Sequence, residues 1–118
     1  MNKDELLNNN DKSGFLEEDI EFKKKLMVYF CKTCGDKIFE INKSIDEGNI
    51  ENAHRLAHTI KGNAAQLGKT HLQKAAADVE HGFKNGKNEV TKEKLKTLEI
   101  ELNAVLLDFN KNETEQTN

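Results

Sequence analysis

The sequence predicts an all-α protein that folds as an antiparallel four-helix bundle. The 118 residues include no proline and no tryptophan, and they are rich in Leu, Ala, Lys and Glu, which favour helix. Apolar residues recur at spacings of three and four rather than two, as on one face of a helix. Gly, Asn and Thr interrupt this pattern at positions that suit helix caps. The chain therefore divides into helical segments joined by short connections.

One domain fits this length, because a chain of this size is too short for two cores of ordinary size. Residues 1–14 and 111–118 are polar and rich in Asn, and we expect both to be flexible tails. The helical bundle is predicted to span residues 15–110.

The first helical stretch covers about residues 17–47. Thr33 and Asp36 have the spacing of a capping box, so a break near Gly35 is one option. A short extra helix before the bundle is another. The apolar stripe of this stretch consists of Ile20, Met27, Phe30, Cys34, Ile38, Ile41 and Ile45.

The second helix is predicted over about residues 50–67. Asn49 before it is a favourable N-cap residue, and Gly48 and Gly68 suit the residue that follows a helix end. The tight connection at Gly48 predicts that the first two helices run antiparallel. The apolar stripe of the second helix consists of Ile50, Ala53, Ala57, Ile60, Ala64 and Leu67.

Two more helices complete the bundle, and their apolar residues also repeat at three and four positions, as in a bundle seam. Thr70 and Gln73 have capping-box spacing at the start of the third helix, which Gly82 and Gly86 end. Thr91 is expected to cap the fourth helix. The predicted core residues of the third are Leu72, Ala75, Ala76, Val79 and Phe83. Those of the fourth are Leu95, Leu98, Leu102, Val105 and Phe109.

Charge and hydropathy argue against several classes of protein. The formal net charge is -3 with both signs interspersed, so no basic stripe predicts nucleic-acid binding. No apolar run reaches the roughly 18 residues that span a bilayer, and the N-terminus is polar. We expect a cytoplasmic monomer. Cys31 and Cys34 have neither a second cysteine pair nor a βαβ pattern around them, so we interpret them as reduced packing residues.

Groups that can do chemistry are concentrated on one face of the second helix. His58, Lys61 and Gly62 share this face, because residues three and four apart are neighbours. A neutral imidazole can attack phosphorus through a ring nitrogen, and the Lys61 ammonium can neutralise phosphoryl oxygens. Gly costs roughly 1 kcal/mol in mid-helix relative to Ala. Glycine has no side chain, so Gly62 would let a partner approach His58 closely, which is a reason for glycine at this position.

Residues 57–68, with the sequence AHTIKGNAAQLG, resemble the signature of histidine-containing phosphotransfer (HPt) domains, A-H-x-L-K-G-x-x-x-x-L-G. The segment differs at Ile60, where Leu is usual, and at Asn63, where a small hydroxyl residue is common. Neither difference removes a reacting group. The pattern L-x-x-x-A-x-x-x-E over residues 72–80 resembles the next helix of the family, and the resemblance covers about residues 15–110.

This resemblance implies a phosphocarrier without an ATP site, not an enzyme. His58 would accept a phosphoryl group from a receiver-domain aspartate or a sensor histidine kinase and pass it to a response-regulator aspartate. The receiver domain would bring the Mg²⁺, so no cofactor is expected on this chain. Lys61 would lie near the phosphoryl group, Gly62 would give access to it, and Gly68 would end the helix. Glu80 would hydrogen-bond the other ring nitrogen of His58 and orient the ring.

The receiver domain is expected to dock around His58. Helical spacing places His54 and Ala65 on or beside the same face. Leu56 and Gln66 lie at its edges. We therefore predict that these four residues contact the partner.

Three alternatives stay open. The bundle could be a helical adaptor that binds proteins through the His58 face without phosphorylation. It could also bind a metal through His54 and His58, whose spacing occurs in zinc sites, with Glu80 as a further ligand. Arg55 argues against zinc, because the zinc-protease motif needs Glu at that position. Finally, the chain could be a domain excised from a hybrid sensor histidine kinase.

Overall fold

The computed structural model describes the backbone of residues 3–117 and the side chains of residues 19–110. Within that part of the chain the secondary structure is helical, without strands, which confirms the all-α class. The α-helices are α1 (Lys3–Cys34), α2 (Lys37–Asp46), α3 (Ile50–Leu67), α4 (Thr70–Gly82) and α5 (Lys92–Thr117). Helix α3 packs against α1, α2 and α4, and α4 packs against α5. The fold is a four-helix bundle in which α1 and α2 together form the predicted first helix.

The predicted break in the first helix occurs at Gly35. The amide of Gly35 donates to the Cys31 carbonyl at 3.3 Å, and an added Cβ would lie 2.9 Å from that oxygen. The capping box predicted there does not form. Thr33 instead donates its hydroxyl to the Tyr29 carbonyl at 2.8 Å, inside α1. Asp36 precedes α2 without a capping hydrogen bond from its side chain.

Both terminal helices run into the stretches that were predicted to be tails. Helix α1 begins at Lys3 and α5 ends at Thr117, so helical backbone extends beyond the predicted bundle of residues 15–110. The side chains of residues 1–14 and 111–118 lie outside the described ones. The flexibility predicted for both stretches therefore stays a prediction.

Side-chain caps fix the starts of α3 and α5 where the sequence predicts them. The Asn49 side chain accepts a hydrogen bond from the Asn52 amide at 3.1 Å. The Thr91 hydroxyl accepts one from the Lys94 amide, also at 3.1 Å. At the end of α3, Gly68 adopts the left-handed conformation with φ of 71°, which costs glycine little.

Helix α4 begins without the capping box that Thr70 and Gln73 were predicted to form. Lys69 is the residue before the helix, and no side chain caps it. Only Gly68 and Lys69 separate the two helices, and Thr70 becomes the first helical residue. The Gln73 amide then bonds the Lys69 carbonyl at 2.9 Å.

The core lies around α3 and contains most of the predicted apolar residues. The buried apolar side chains are Phe30, Cys34, Ile41, Ala53, Leu56, Ala57, Ile60, Ala64, Leu72, Ala75, Ala76, Val79, Phe83, Leu98, Leu102 and Val105. Ile20 was predicted to join them, but it is exposed. Residues 20–25 of α1 are all exposed, so this part of the helix does not contribute to the core. None of the helices in the described part of the chain combines the length and apolar character that crossing a bilayer requires.

The connection between α4 and α5 closes tightly against the end of α4. A Cβ added to Gly82 would overlap the Val90 side chain and would lie 3.2 Å from the Val90 backbone. The Glu89 amide donates to the Gly82 carbonyl at 2.7 Å. Between these contacts, Asn85 and Gly86 adopt left-handed φ values of 67° and 74°. The turn that follows α4 is therefore held in one conformation.

We expect Gly82→Ala to lower the free energy of unfolding by about 1–3 kcal/mol, because the added methyl group overpacks the contact with Val90. Gly62→Ala is the matched control, since a Cβ at Gly62 would meet nothing within 4 Å. In the control, the higher helix propensity of Ala should raise the free energy of unfolding by up to about 1 kcal/mol. Urea unfolding of both variants checks the pair, and shifts of the same sign would contradict the close approach at Gly82.

Candidate functional site

His58 lies near the middle of α3, on the side of the helix that faces solvent. The core stripe of α3 includes Ala57, Ile60 and Ala64, each without exposed surface. Burial of that stripe fixes the rotation of the helix, and it turns His58 outward. The His58 side chain is 63% exposed. A partner protein can therefore reach the imidazole without any change in the bundle.

Glu80 extends from α4 and contacts the His58 ring across the interface of the two helices. Its Oε2 atom lies 2.7 Å from Nδ1 of His58, which is the contact that the family resemblance implies. Helices α3 and α4 pack against each other, and both bury small residues, Ala57 and Ala76, which suit close packing. The Glu80 side chain is only 14% exposed, so its orientation is set by the two helices.

Lys61 binds the second oxygen of the same carboxylate. Its Nζ atom lies 2.7 Å from Oε1 of Glu80. The two oxygens are thus divided, with Oε1 on the ammonium of Lys61 and Oε2 on the imidazole of His58. Sequence reasoning placed Lys61 beside the phosphoryl group and did not foresee this ion pair.

The electrostatic balance at Glu80 favours the ionised carboxylate. Burial raises the pKa of the Glu80 carboxyl, but hydrogen bonds and charge interactions with Lys61 and His58 outweigh burial, and the net pKa is lowered. A carboxylate can only accept hydrogen bonds, so Nδ1 of His58 carries the proton. In the neutral form of the ring, Nε2 then keeps its lone pair. Within residues 19–110 no hydrogen bond occupies Nε2.

His54 lies one helical turn before His58 and approaches the same carboxylate. Its Nε2 atom is 3.8 Å from Oε2 of Glu80, which is too long for a hydrogen bond. Among the described side chains, no group of three or more His, Cys, Asp or Glu residues is arranged to hold a metal ion.

A family model described as "Hpt domain" matches residues 25–107, which is well over half of the chain. The chain belongs to the Hpt domain family. Domains of this family carry phosphoryl groups on histidine in phosphorelays and are not enzymes with a catalytic site of their own. Comparison with curated proteins and with solved structures gave no match. The matched range begins in α1, ends in α5 and includes every residue of the candidate site.

Gly62 and Ala65 leave a bare surface beside His58 in this Hpt domain. A Cβ at Gly62 would meet nothing within 4 Å, so no contact within the described chain requires glycine there. Ala65 and Gln66 are exposed on the next turn of α3. The surface beside the ring therefore lacks the bulk that would keep a partner away.

Leu56 corrects the predicted docking surface. It was expected at the edge of the His58 face, but it is 3% exposed and belongs to the core. Leu56 lies three residues after Ala53 and four before Ile60, so it faces inward with them. The apolar stripe of α3 is wider than the sequence analysis allowed, and Leu56 is not available to a partner.

Two open cavities share His54 and Glu80 as lining residues. The first measures about 650 Å³ and lies toward the start of α3. It is lined by Asn49, Glu51, Asn52, His54, Arg55, His58 and Glu80. The second measures about 280 Å³ and lies between α3 and the end of α4. It is lined by His54, Lys61, Ala77, Glu80, His81 and Lys84.

Lys84 is a charged lining residue of the second cavity that sequence reasoning missed. It follows the end of α4 at Gly82, in a 3₁₀ turn (Lys84–Gly86). Helical spacing carries no information about residues beyond a helix end. Only the tertiary fold brings Lys84 next to Lys61 and Glu80.

The two cysteines are free thiols in this structure. Cys34 is buried, and the Asn63 side-chain amide donates to its sulfur at 3.4 Å. Asn63 is one of the two positions that differ from the family signature, and this contact gives it a packing role. Burial, with a smaller contribution from Cys34, raises the pKa of the Cys31 thiol. Cys34 fits its interpretation as a packing residue, whereas Cys31 is partly exposed and does not belong to the core.

The lowered pKa of Glu80 predicts a pH-dependent contribution to stability. A carboxyl whose pKa is lower in the folded than in the unfolded chain stabilises the fold above its unfolded pKa, about 4.3. This stabilisation is lost as the pH falls through the folded pKa. We expect wild type to be more stable than Glu80→Gln near neutral pH, with the difference shrinking once the pH falls below about 4.3.

Urea unfolding of both proteins across this pH range measures the difference. In the Lys61→Gln background, one group that lowers the pKa of Glu80 is missing, so the stabilisation should be smaller and its loss should be complete at a higher pH. A difference between wild type and Glu80→Gln that stays constant down to acid pH would contradict the lowered pKa.

Proposed function

We propose that His58 is the phosphoacceptor of this Hpt domain in a two-component phosphorelay. It takes the phosphoryl group from a receiver-domain aspartate or a sensor histidine kinase and passes it to a response-regulator aspartate. The observation that supports this role is the hydrogen bond between His58 Nδ1 and Glu80 on an exposed ring. That bond holds the ring in one orientation and leaves Nε2 as the nucleophile.

In the accepting step, the Nε2 lone pair attacks phosphorus, and a P–N bond forms. The bond between phosphorus and the partner's aspartate oxygen breaks, and the aspartate leaves as a carboxylate. Nδ1 of His58 then carries a proton and Nε2 carries the phosphoryl group, so the ring is positively charged. Glu80 stabilises this charge, as a carboxylate does beside a catalytic histidine. In the donating step an aspartate oxygen attacks phosphorus, the P–N bond breaks, and Nε2 recovers its lone pair.

Charge on the transferring phosphoryl group is neutralised from two sides. The receiver domain supplies the Mg²⁺, and this chain supplies Lys61. An ammonium has three N–H donors, so Lys61 can keep its bond to Glu80 while it donates to a phosphoryl oxygen. Exact placement of these groups matters, because phosphoryl transfer depends on positioning and electrostatic stabilisation.

The relay is proposed to act in the cytoplasm with this chain as a monomer. A receiver domain docks on the face of α3 around His58, and one copy of the chain presents that face complete. Gly62 and Ala65 allow the close approach that transfer between two proteins needs, since the reacting atoms must come within about 3–3.5 Å. His54 and Gln66 lie at the border of the docked surface.

His58→Gln should abolish phosphorylation while the helical fold stays intact, because the side chain is exposed. His54→Gln is the matched control, one turn earlier on the same face, and should still be labelled. Both variants and wild type are incubated with phosphoramidate and with a phosphorylated receiver domain, and the label is tested in acid and alkali. The expected label is acid-labile, alkali-stable and absent only from His58→Gln.

Label that persists in His58→Gln would place the acceptor elsewhere. If wild type with a helical circular dichroism spectrum accepts no label from either donor, the adaptor alternative is favoured instead.

Lys61→Ala should slow transfer without removing the acceptor. The expected loss is roughly 10- to 100-fold in rate, which corresponds to one hydrogen bond to a charged group. Lys69→Ala is the control, because Lys69 has the same exposure, 33%, and pairs with Asp108 far from the site. Rapid-quench kinetics with a receiver domain measure both rates, and equal rates for the two variants would remove Lys61 from the mechanism.

A further inference from the structure

The cavity between α3 and the end of α4 is a cleft with an excess of positive charge. We call it the cationic cleft, and its lining residues are His54, Lys61, Ala77, Glu80, His81 and Lys84. With the histidines counted as neutral, two lysines face one carboxylate, so the cleft carries one net positive charge. The whole chain has a formal charge of -3. The charge of the cationic cleft is thus opposite in sign to that of the protein.

The one carboxylate of the cleft does not neutralise Lys84. Glu80 precedes Lys84 by four residues, a spacing that favours an ion pair on a regular helix. However, α4 ends at Gly82, and the two Glu80 oxygens contact Lys61 and His58 instead. Among the ion pairs of residues 19–110, none involves Lys84. Its ammonium is therefore available to an anion that enters the cleft.

The backbone that carries Lys84 is fixed. Phe83, just before it, is buried, and the Phe83 amide donates to the Glu80 carbonyl at 3.1 Å. The Gly86 amide donates to the Phe83 carbonyl at 3.2 Å. An anion that binds Lys84 therefore need not order this turn, which reduces the entropic cost of binding.

We propose that the cationic cleft binds an acidic side chain of the receiver domain that docks on His58. This inference rests on the proposed function, because the docked partner brings its carboxylate within reach of Lys84. The imidazole of His81 offers an N–H donor beside it. In this arrangement Lys61 and Glu80 serve the transfer step, and Lys84 contributes to the choice and affinity of the partner.

A partner side chain is a better occupant than a free anion. The cleft is open, and Lys84 and His81 are exposed, so contacts with a small dissolved anion are screened by water and weak. A carboxylate on a docked receiver domain is instead held beside the cleft at high effective concentration. The same weak contacts then add to an interface that already exists.

Lys84→Glu tests the proposal, with Lys87→Glu as the matched control. Both lysines are exposed on the connection after α4, and the charge change is identical, but Lys87 does not line the cleft. Wild type and both variants are phosphorylated with phosphoramidate. Transfer of the label to a set of purified receiver domains is then measured against receiver concentration at low and high salt.

For Lys84→Glu we expect the receiver concentration at half-maximal rate to rise about tenfold relative to Lys87→Glu, as for a charge at an interface rim. The maximal rate should match that of the control. Higher salt should reduce the difference between the variants, because it screens exposed charges. Circular dichroism melting shows whether both variants are folded, and Lys84→Gln replaces Lys84→Glu if the charge reversal unfolds the chain.

Equal half-maximal concentrations for the two variants overturn the proposal. A loss of maximal rate and of phosphoramidate labelling in Lys84→Glu alone also overturns it, because Lys84 would then act in the chemistry. If millimolar inorganic phosphate raises the melting temperature of wild type and Lys87→Glu but not of Lys84→Glu, the occupant is a free anion.

The failure of the proposed function is recognised separately. Wild type that accepts no label from phosphoramidate contradicts the role of His58 itself. Labelled wild type that discharges to none of the receiver domains instead contradicts the receiver partner, and the proposed contact of Lys84 falls with it.

Discussion

The carboxylate of Glu80 is the interaction on which the site depends. One oxygen holds the His58 ring and the other holds Lys61, so a single side chain of α4 orients both groups of α3. This requires α3 and α4 to pack closely, which buried alanines on both helices allow. It also requires an ionised carboxylate, and the lowered pKa of Glu80 provides it. Helix packing and the orientation and tautomer of the imidazole are therefore linked.

Helix α3 has two duties that its sequence separates by face. One face buries a wide apolar stripe, and burial of that stripe supplies most of the stability of a helix in a bundle. The opposite face carries His58 and stays exposed. Because it buries little apolar surface, this face contributes little to the stability of the fold. Gly62 and Ala65 have little or no side chain, so a partner can approach this face closely. Glycine has a low helix propensity, and this is the cost of leaving the surface at Gly62 open.

The sequence predicts features that depend on local spacing better than those that depend on tertiary contacts. The segments and the cap at Asn49 follow from spacing and cap chemistry, and the structure has them. The break at Gly35 also occurs, but without the capping box from which it was inferred. Leu56 was misplaced because a stripe inferred from spacing is narrower than the surface that a helix buries against several neighbours. The contact of His58 with Glu80 was reached only through the family resemblance, since spacing along one helix says nothing about its neighbour. Neither helical spacing nor the family resemblance predicts a role for Lys84.

The turn after α4 is closed at both ends by buried contacts, Phe83 before it and the Val90 contact with Gly82 after it. Residues 84–88 between these anchors are exposed, although the left-handed φ values of Asn85 and Gly86 restrict the residues that suit those two positions. The side chains at Lys84 and Lys87 can therefore vary while the chemistry of the histidine stays constant. For the same reason, residues 84–88 are a suitable segment to exchange between Hpt domains when the partner of a relay is to be changed.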